Sequence, residues 1–378
     1  MVISPSWTPD FWRGRRVWLS GHTGFKGSWL VLWLLHWGAV VEGYALDPEP
    51  PVGGPMQPLF TELGLEDALE HDQRGDLADL ALLCARLRAF RPEVVFHLAA
   101  QPLVQRSYQE PLLTWSTNVI GTCHVLEALR QLDQPCVAVM ITTDKVYDNR
   151  EWDFGYREED PLGGHDPYSS SKGAAELAIA SWRSSFCGKA PHQCPGLRIA
   201  SARAGNVIGG GDWAEDRIVP DAIRALIAER PIAVRSPTAT RPWQHVLEPL
   251  GGYLLLAERL QGQAEGVGIA SRPEQGSRLD TAFNFGPDRQ SNQPVCNLVE
   301  GLLQHWPGRW EDHSDPQARH EASRLDLSTD RAFHRLGWMP RWNFADTVAQ
   351  TAGWYLRFKQ GESCRALCLE QIESYLGS

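Results

Sequence analysis

The sequence predicts an α/β protein: a doubly wound parallel sheet followed by a smaller C-terminal α/β domain. Three observations carry this reading. Short, β-branched apolar runs recur at 16–20, 40–45, 94–99, 137–142 and 197–202, with helical patterns between them. A glycine-rich turn joins the first run to the first helix. Beyond Gly205 the regular alternation loosens. Alternating strands and helices fold as parallel βαβ units, and ligands of such sheets sit beyond the carboxyl ends of the strands.

The elements follow in order. After the glycine turn, Leu30, Trp33, Leu34 and Trp37 fall at i, i+3, i+4 and i+7, a core-facing helical stripe. A second helix is predicted over 76–90, closed by Arg91 and Pro92. A helix at 218–229 follows the fifth strand. The polar, glycine-rich stretch 262–278 reads as a surface loop, and the chain is mostly helical again from 321. Residues 1–205, with a return segment near 241–290, form the expected first domain; 206–240 and 291–378 form the second.

Composition narrows the class. The chain has 378 residues, 43% apolar and 22% charged, enough for a large buried core. A net charge of -10 argues against nucleic-acid binding. The longest apolar run, 29–41, is broken by His36 and too short to span a bilayer. The first residues, with Asp10 and Arg13, lack the pattern of a signal peptide, so no membrane association and cytoplasmic residence are expected. The eight cysteines show no Cys-x-x-Cys spacing. They read as buried thiols, with Cys364 and Cys368 one helical turn apart, and no metal site is expected.

The glycine turn, Gly21-His22-Thr23-Gly24-Phe25-Lys26-Gly27, lies between a strand and a helix. Glycines there allow a tight turn and let the backbone approach a pyrophosphate, while the helix N-terminus offers N–H donors. Gly21, Thr23, Gly24, Phe25, Lys26 and Gly27 are therefore candidate dinucleotide contacts. Asp47 lies twenty residues past Gly27, where a carboxylate accepts hydrogen bonds from an adenosine ribose and repels a 2′-phosphate, which favours NAD over NADP. A turn carboxylate before Pro48 is the bland alternative. Asp76, Leu77, Leu98, Ala99 and Ala100 are further cofactor candidates.

Two constellations carry chemistry. Tyr168 and Lys172, at i and i+4 of a helix that begins after Asp166 and Pro167, place a phenol beside an ammonium. That ammonium is expected to favour the phenolate and make the tyrosine a base. Thr143, Asp144 and Lys145 follow the strand at 137–142 and so lie at the sheet's carboxyl edge, able to orient a hydroxyl, donate a proton and abstract one. Lysine is scarce: only Lys26, Lys145, Lys172, Lys189 and Lys359 occur. Lysine, unlike arginine, gives up its proton when its pKa falls, an argument that suits Lys145 and Lys172. Lys26 also reads as a solvated residue beside the loop.

The runs 21–30 (GHTGFKGSWL), 142–147 (TTDKVY) and 168–172 (YSSSK) together resemble extended short-chain dehydrogenases/reductases that act on nucleotide sugars. The runs 201–213 (SARAGNVIGGGDW) and 241–249 (RPWQHVLEP), with Lys145 where most sugar-nucleotide 4,6-dehydratases carry glutamate, are similar to the CDP-glucose branch of that family. The resemblance implies a Rossmann-like fold, bound NAD, CDP-glucose as substrate and a homodimer or homotetramer. It implies that Tyr168 removes the C4 hydroxyl proton, Lys172 holds the ribose, Thr143 orients the C4 oxygen, Asp144 protonates the departing C6 hydroxyl and Lys145 serves as the C5 base. For Lys145 this requires a neutral amine, which Lys172 and a desolvated pocket would favour. Asn206, Arg217 and Arg241 become substrate phosphate and ribose contacts, with structural salt bridges as the alternative for the arginines. A 4-epimerase or decarboxylase on the same fold would not need the acid/base pair at 144–145. A non-catalytic dinucleotide sensor would not need Tyr168 and Lys172.

Overall fold

The computed structural model describes residues 7–51, 56–265, 278–315 and 324–378. Its centre is a seven-stranded sheet of β1 (Arg16–Ser20), β2 (Val40–Ala45), β3 (His71–Arg74), β4 (Val94–His97), β5 (Cys136–Ile141), β6 (Leu197–Ala204) and β7 (Ala282–Phe285), in the order β7-β6-β5-β4-β1-β2-β3. Every pairing within it is parallel. Strand order reverses between β1 and β4, so the loops leaving those two strands part and open a crevice at the carboxyl edge.

Two of these strands lie outside the apolar runs named above. β3 reads His-Asp-Gln-Arg because it is an edge strand, only partly covered, and needs no apolar run. β7 arrives long after the alternation has loosened, yet it is fully buried and pairs with β6 from Ala282 opposite Ser201 to Phe285 opposite Ala204.

The Phe25–His36 helix is more deeply buried than one amphipathic stripe requires. Residues 27–34 are all buried, Trp29 and Trp33 included. The Leu247–Glu265 and Cys364–Gly377 helices both lie against it, and Trp33 meets Tyr375 edge-on at 5.8 Å between ring centres. Covered on several sides, the helix loses its solvent face. The predicted 76–90 helix runs Leu80–Phe90, because Asp79 caps it by accepting from Leu82 N at 2.9 Å. The stretch read as a loop from 262 is helical at its start, since the Leu247–Glu265 helix extends through it; the rest of it, 266–277, lies outside the described residues.

The segments between β6 and β7 and after β7 form short two-stranded pairs, Val207–Ile208 with Gln244–His245, Thr240–Pro242 with Asn292–Pro294 and Ile232–Val234 with Trp310–Asp312. No described helix is long and apolar enough to cross a membrane. Cys364 and Cys368 are buried on the last helix, while Cys123, Cys194 and Cys296 are partly exposed.

Candidate active site

The glycine turn is built from backbone contact. Gly21 has φ +75°, and a Cβ there would lie 2.7 Å from Ala99 N. A Cβ on Gly27 would lie 2.1 Å from the Gly21 carbonyl oxygen. A side chain at Gly21 would push the turn away from the loop after β4, and one at Gly27 would push the cradle helix off its own turn. Gly24 caps the Phe25–His36 helix with no side-chain hydrogen bond and no acidic residue in the first turn. The helix therefore presents its first N–H groups to an anion, as a pyrophosphate cradle requires. Beneath the turn, Ser20 Oγ and His97 Nδ1 are hydrogen-bonded at 2.7 Å, and Ala99 N donates to Ser20 Oγ at 3.3 Å. Burial pushes the His97 imidazole down to about 3, so it stays neutral and ties β1 to β4.

The remaining cofactor candidates ring this cradle. Asp47 stands two residues past β2, 89% exposed, with Arg74 Nε at 3.7 Å; Arg74 itself donates to Asp72 at 2.6 Å. Thr23 Oγ1 donates to the Leu46 carbonyl at 3.1 Å and holds the glycine turn to the end of β2. The exposed Asp76 accepts from Ala78 N at 2.9 Å, while its carbonyl receives the Tyr44 hydroxyl at 2.8 Å. Leu77 is buried, and Leu98, Ala99 and Ala100 lie half-buried beyond β4.

The second half of the site forms where β5 ends. Thr143 caps the short turn Asp144–Val146. Its Oγ1 donates to Asp144 Oδ1 at 2.9 Å and lies near the Tyr168 hydroxyl, so a phenol, a hydroxyl and a carboxyl stand together. Asp144 is 2% exposed, and its Oδ2 has no hydrogen-bond partner among the described residues. Burial raises its carboxyl above the usual range, although Lys145, the Thr143 hydrogen bond and Arg241 pull the other way. Lys145 is half-buried beside it.

Tyr168 and Lys172 share one face of the Pro167–Phe186 helix, capped by Asp166, which accepts from Ser169 N at 2.9 Å. The balance of causes here runs against the phenolate that the i, i+4 spacing suggested. Burial raises Tyr168 to about 12, opposed by the Thr143 hydrogen bond and the charge of Arg217. The Lys172 ammonium instead donates to the Ile141 carbonyl at 3.4 Å, and burial lowers it to about 8. Lys26 is no solvated neighbour either. Its Nζ turns inward and donates to the Tyr253 hydroxyl at 3.2 Å, and burial, Arg217 and Lys172 lower it to about 7.

Of the other predicted contacts, Arg217 sits at the head of the Ile218–Ile227 helix and pairs with Asp212 at 2.9 Å, with Tyr168 in its electrostatic neighbourhood. Arg241 is buried, donates to the Thr240 carbonyl at 2.8 Å and acts on Asp144. Asn206 is half-buried, and its carbonyl accepts from Gln244 N at 3.3 Å.

Sequence reasoning missed a buried network behind this centre. Glu176 accepts from Thr142 at 2.5 Å, Ser201 at 2.9 Å and Arg203 at 2.8 Å, and Arg203 also donates to Tyr147 at 2.8 Å. Burial opposes the charge on Glu176, yet Arg203 and the hydrogen bonds outweigh it and hold the carboxyl below its usual range. Its signal was present: Glu176 stands four residues after Lys172 and eight after Tyr168, on one helical face. Asn118, buried in a π-turn at Ser116–Ile120, accepts from Gln101 N at 2.8 Å and donates to Ser171 at 2.9 Å; neither it nor Tyr253 carries a readable motif.

Comparison with known proteins places this geometry. The chain is 43% identical over 376 residues to a CDP-glucose 4,6-dehydratase of Salmonella typhimurium, covering 98% of each chain. It is 27% identical to a dTDP-glucose 4,6-dehydratase of Xanthomonas campestris, over 90% of this chain and 93% of that one. Among solved structures, a dTDP-glucose 4,6-dehydratase from Streptomyces venezuelae, described with NAD and TYD bound, superposes with a TM-score of 0.72 at 22% identity, covering 93% and 99% of the two chains. A UDP-glucose 4-epimerase from Thermotoga maritima, described with UDP-glucose, reaches the same 0.72 at 19% identity, covering 91% and 99%. Backbone shape is therefore common to dehydratases and epimerases, and the side chains at the edge of β5 must separate them. Residues 19–351 match the GDP-mannose 4,6 dehydratase family, and the chain belongs to that family.

Proposed function

We propose that this chain dehydrates CDP-glucose to the 4-keto-6-deoxy sugar nucleotide with NAD as its recycled cofactor. One observation carries the reading: at the carboxyl edge of β5, Tyr168, Thr143 and a buried Asp144, whose carboxyl burial raises above its usual range, stand together beside two lysines. The 43% identity to a CDP-glucose 4,6-dehydratase supports the substrate. The bare first turn of the Phe25–His36 helix and the Cβ-intolerant Gly21 and Gly27 fit a dinucleotide, with Thr23, Gly24, Phe25, Asp47, Asp76, Leu77 and residues 98–100 around it. NAD, when bound there, supplies a hydride acceptor that ends each cycle as it began.

The chain's own groups then divide the proton work. Tyr168, as the phenolate, takes the C4 hydroxyl proton and becomes the phenol while Thr143 holds the C4 oxygen, and the charge of Arg217 favours the phenolate from which the step starts. Lys172, anchored on the Ile141 carbonyl, holds the cofactor ribose. The 4-ketone acidifies C5, and Lys145 removes that proton. Asp144 protonates the departing C6 hydroxyl from Oδ2, the oxygen without a hydrogen bond among the described residues. An epimerase needs no such acid. Asn206, Arg217 and Arg241 contact the nucleotide. Residues 1–205, with a return segment near 241–290, form the NAD domain, and 206–240 with 291–378 the substrate domain.

Leu112, Leu113, Trp115, Ile120 and Leu177 are exposed on neighbouring helices, an apolar face suited to a second copy of this chain in a homodimer, and residence is cytoplasmic. Incubation of the purified protein with several NDP-glucoses, followed by the absorbance of the 4-keto product in base, tests the activity. Failure to convert CDP-glucose would sink it.

A further inference from the structure

Three cations converge on the gap between the glycine cradle and Tyr168, and they are not equally compensated. Arg217 is paired with Asp212 at 2.9 Å. Lys172 has Glu176 one turn along its own helix, and the charge of that carboxylate favours its protonation. Among the described residues Lys26 has no such partner. The carboxyl that favours its charge is Asp144, whose own burial keeps it toward the neutral form. Its hydrogen bond goes to a phenol, Tyr253, fully buried on the Leu247–Glu265 helix.

A phenol accepts from an ammonium and donates to a neutral amine, so the Lys26–Tyr253 contact survives in either protonation state, as a salt bridge would not. Burial also raises the Tyr253 hydroxyl above its usual range, which keeps it neutral while the lysine titrates. Lys26 stands on the first turn of the cradle helix, with its amine within electrostatic reach of Lys172, Arg217 and Asp144. A dinucleotide laid from the cradle to the Tyr168–Lys172 pair passes it.

We infer that Lys26, held by Tyr253, is a proton site linked to the redox state of the bound dinucleotide. The inference rests on the NAD reading above. An oxidised nicotinamide is cationic and a reduced one is neutral. Removal of that positive charge raises the proton affinity of a nearby amine, so Lys26 binds a proton as the cofactor is reduced and releases it when the hydride returns to the sugar. The pyrophosphate is common to both forms and cancels. The lowering of Lys26 to about 7 places this exchange in the neutral range.

Calorimetric titration of the cofactor-free protein with NAD and with NADH at pH near 7, in two buffers of different ionisation enthalpy, counts the protons that accompany each ligand. Bound NADH is expected to leave the protein holding several tenths of a proton more than bound NAD. Lys26→Met and Lys26→Arg should both abolish that difference while still binding both cofactors. The arginine variant, with its charge fixed, should favour NADH over NAD about tenfold more than the methionine variant, the equivalent of one pKa unit. An unchanged proton difference in Lys26→Met would overturn the inference and leave the NAD reading standing. Failure of the wild-type protein to bind either cofactor would overturn both.

Discussion

Two buried carboxyls, one just past the end of β5 and one on the Pro167–Phe186 helix, have opposite fates. Glu176 accepts three hydrogen bonds, one from the guanidinium of Arg203, and stays charged. Asp144 shares one oxygen with Thr143, leaves the other unpartnered, and burial pushes it toward its acid form. Both are as deep as the core. The difference teaches that depth does not decide what a carboxyl does; the supply of donors, a cationic side chain above all, does. A saturated carboxylate ties elements together, and an unsaturated acid keeps a proton to give.

The largest test removes that proton. Asp144→Asn keeps the shape but no longer has an acid to donate, and turnover should fall about 10²–10⁴-fold. Reduced cofactor should then accumulate in the near-ultraviolet, because C4 oxidation precedes the lost step; undiminished turnover would erase the contrast with Glu176. Lys145→Met should keep NAD binding and slow elimination about 10²-fold or more, read as loss of C5 exchange with deuterated solvent. Wild-type exchange in that variant would refute the base assignment.

Glu176→Gln tests the other carboxyl. It strands the Arg203 charge in the interior, and chemical denaturation should record a loss of about 3–5 kcal/mol. Replacing both partners with methionine should recover most of it, since the pair as a whole contributes little over a packed apolar contact. A mild single variant would mean that Glu176 is no structural clamp.

The smallest effect concerns a third buried carboxyl. Glu248 accepts from Arg341 N at 3.0 Å, Trp342 N at 2.7 Å and Tyr375 at 2.9 Å, yet burial raises it to about 7 because none of those donors is a close cationic side chain. Its folded pKa lies above its unfolded one, so the folded state binds the extra proton and is favoured by it at low pH. That contribution is full below about 4.5 and is lost as pH rises to about 7. Glu248→Gln should flatten the stability profile across that window, by at most about 3 kcal/mol over its whole width. A profile as steep as the wild type's would assign the slope to other groups.

How much was legible follows the same division. The cradle was readable because it is made of backbone: Gly21 and Gly27 are glycines for contact reasons that leave no alternative residue. β1 and β2 were delimited to the residue because buried parallel strands are continuous apolar runs. β3 carried no such run, being a polar edge. Tyr168, Lys172 and Asp144 stood out by spacing, but spacing does not report desolvation, which at Tyr168 outweighs a neighbouring ammonium whose hydrogen bond goes elsewhere. Lys26 looked solvated because its partner Tyr253 lies on a helix far along the chain, and no local pattern reports such a contact.

The cover over the cradle helix carries a consequence for biosynthesis. The Phe25–His36 helix, with Trp29 and Trp33 buried, meets the Cys364–Gly377 helix, made about 330 residues later. At ribosomal speeds of about 5–20 residues per second, roughly 20–60 s pass between the two. Through that interval a tryptophan-rich surface lacks its last layer on the nascent chain, so the order of synthesis leaves the cradle helix to be closed last.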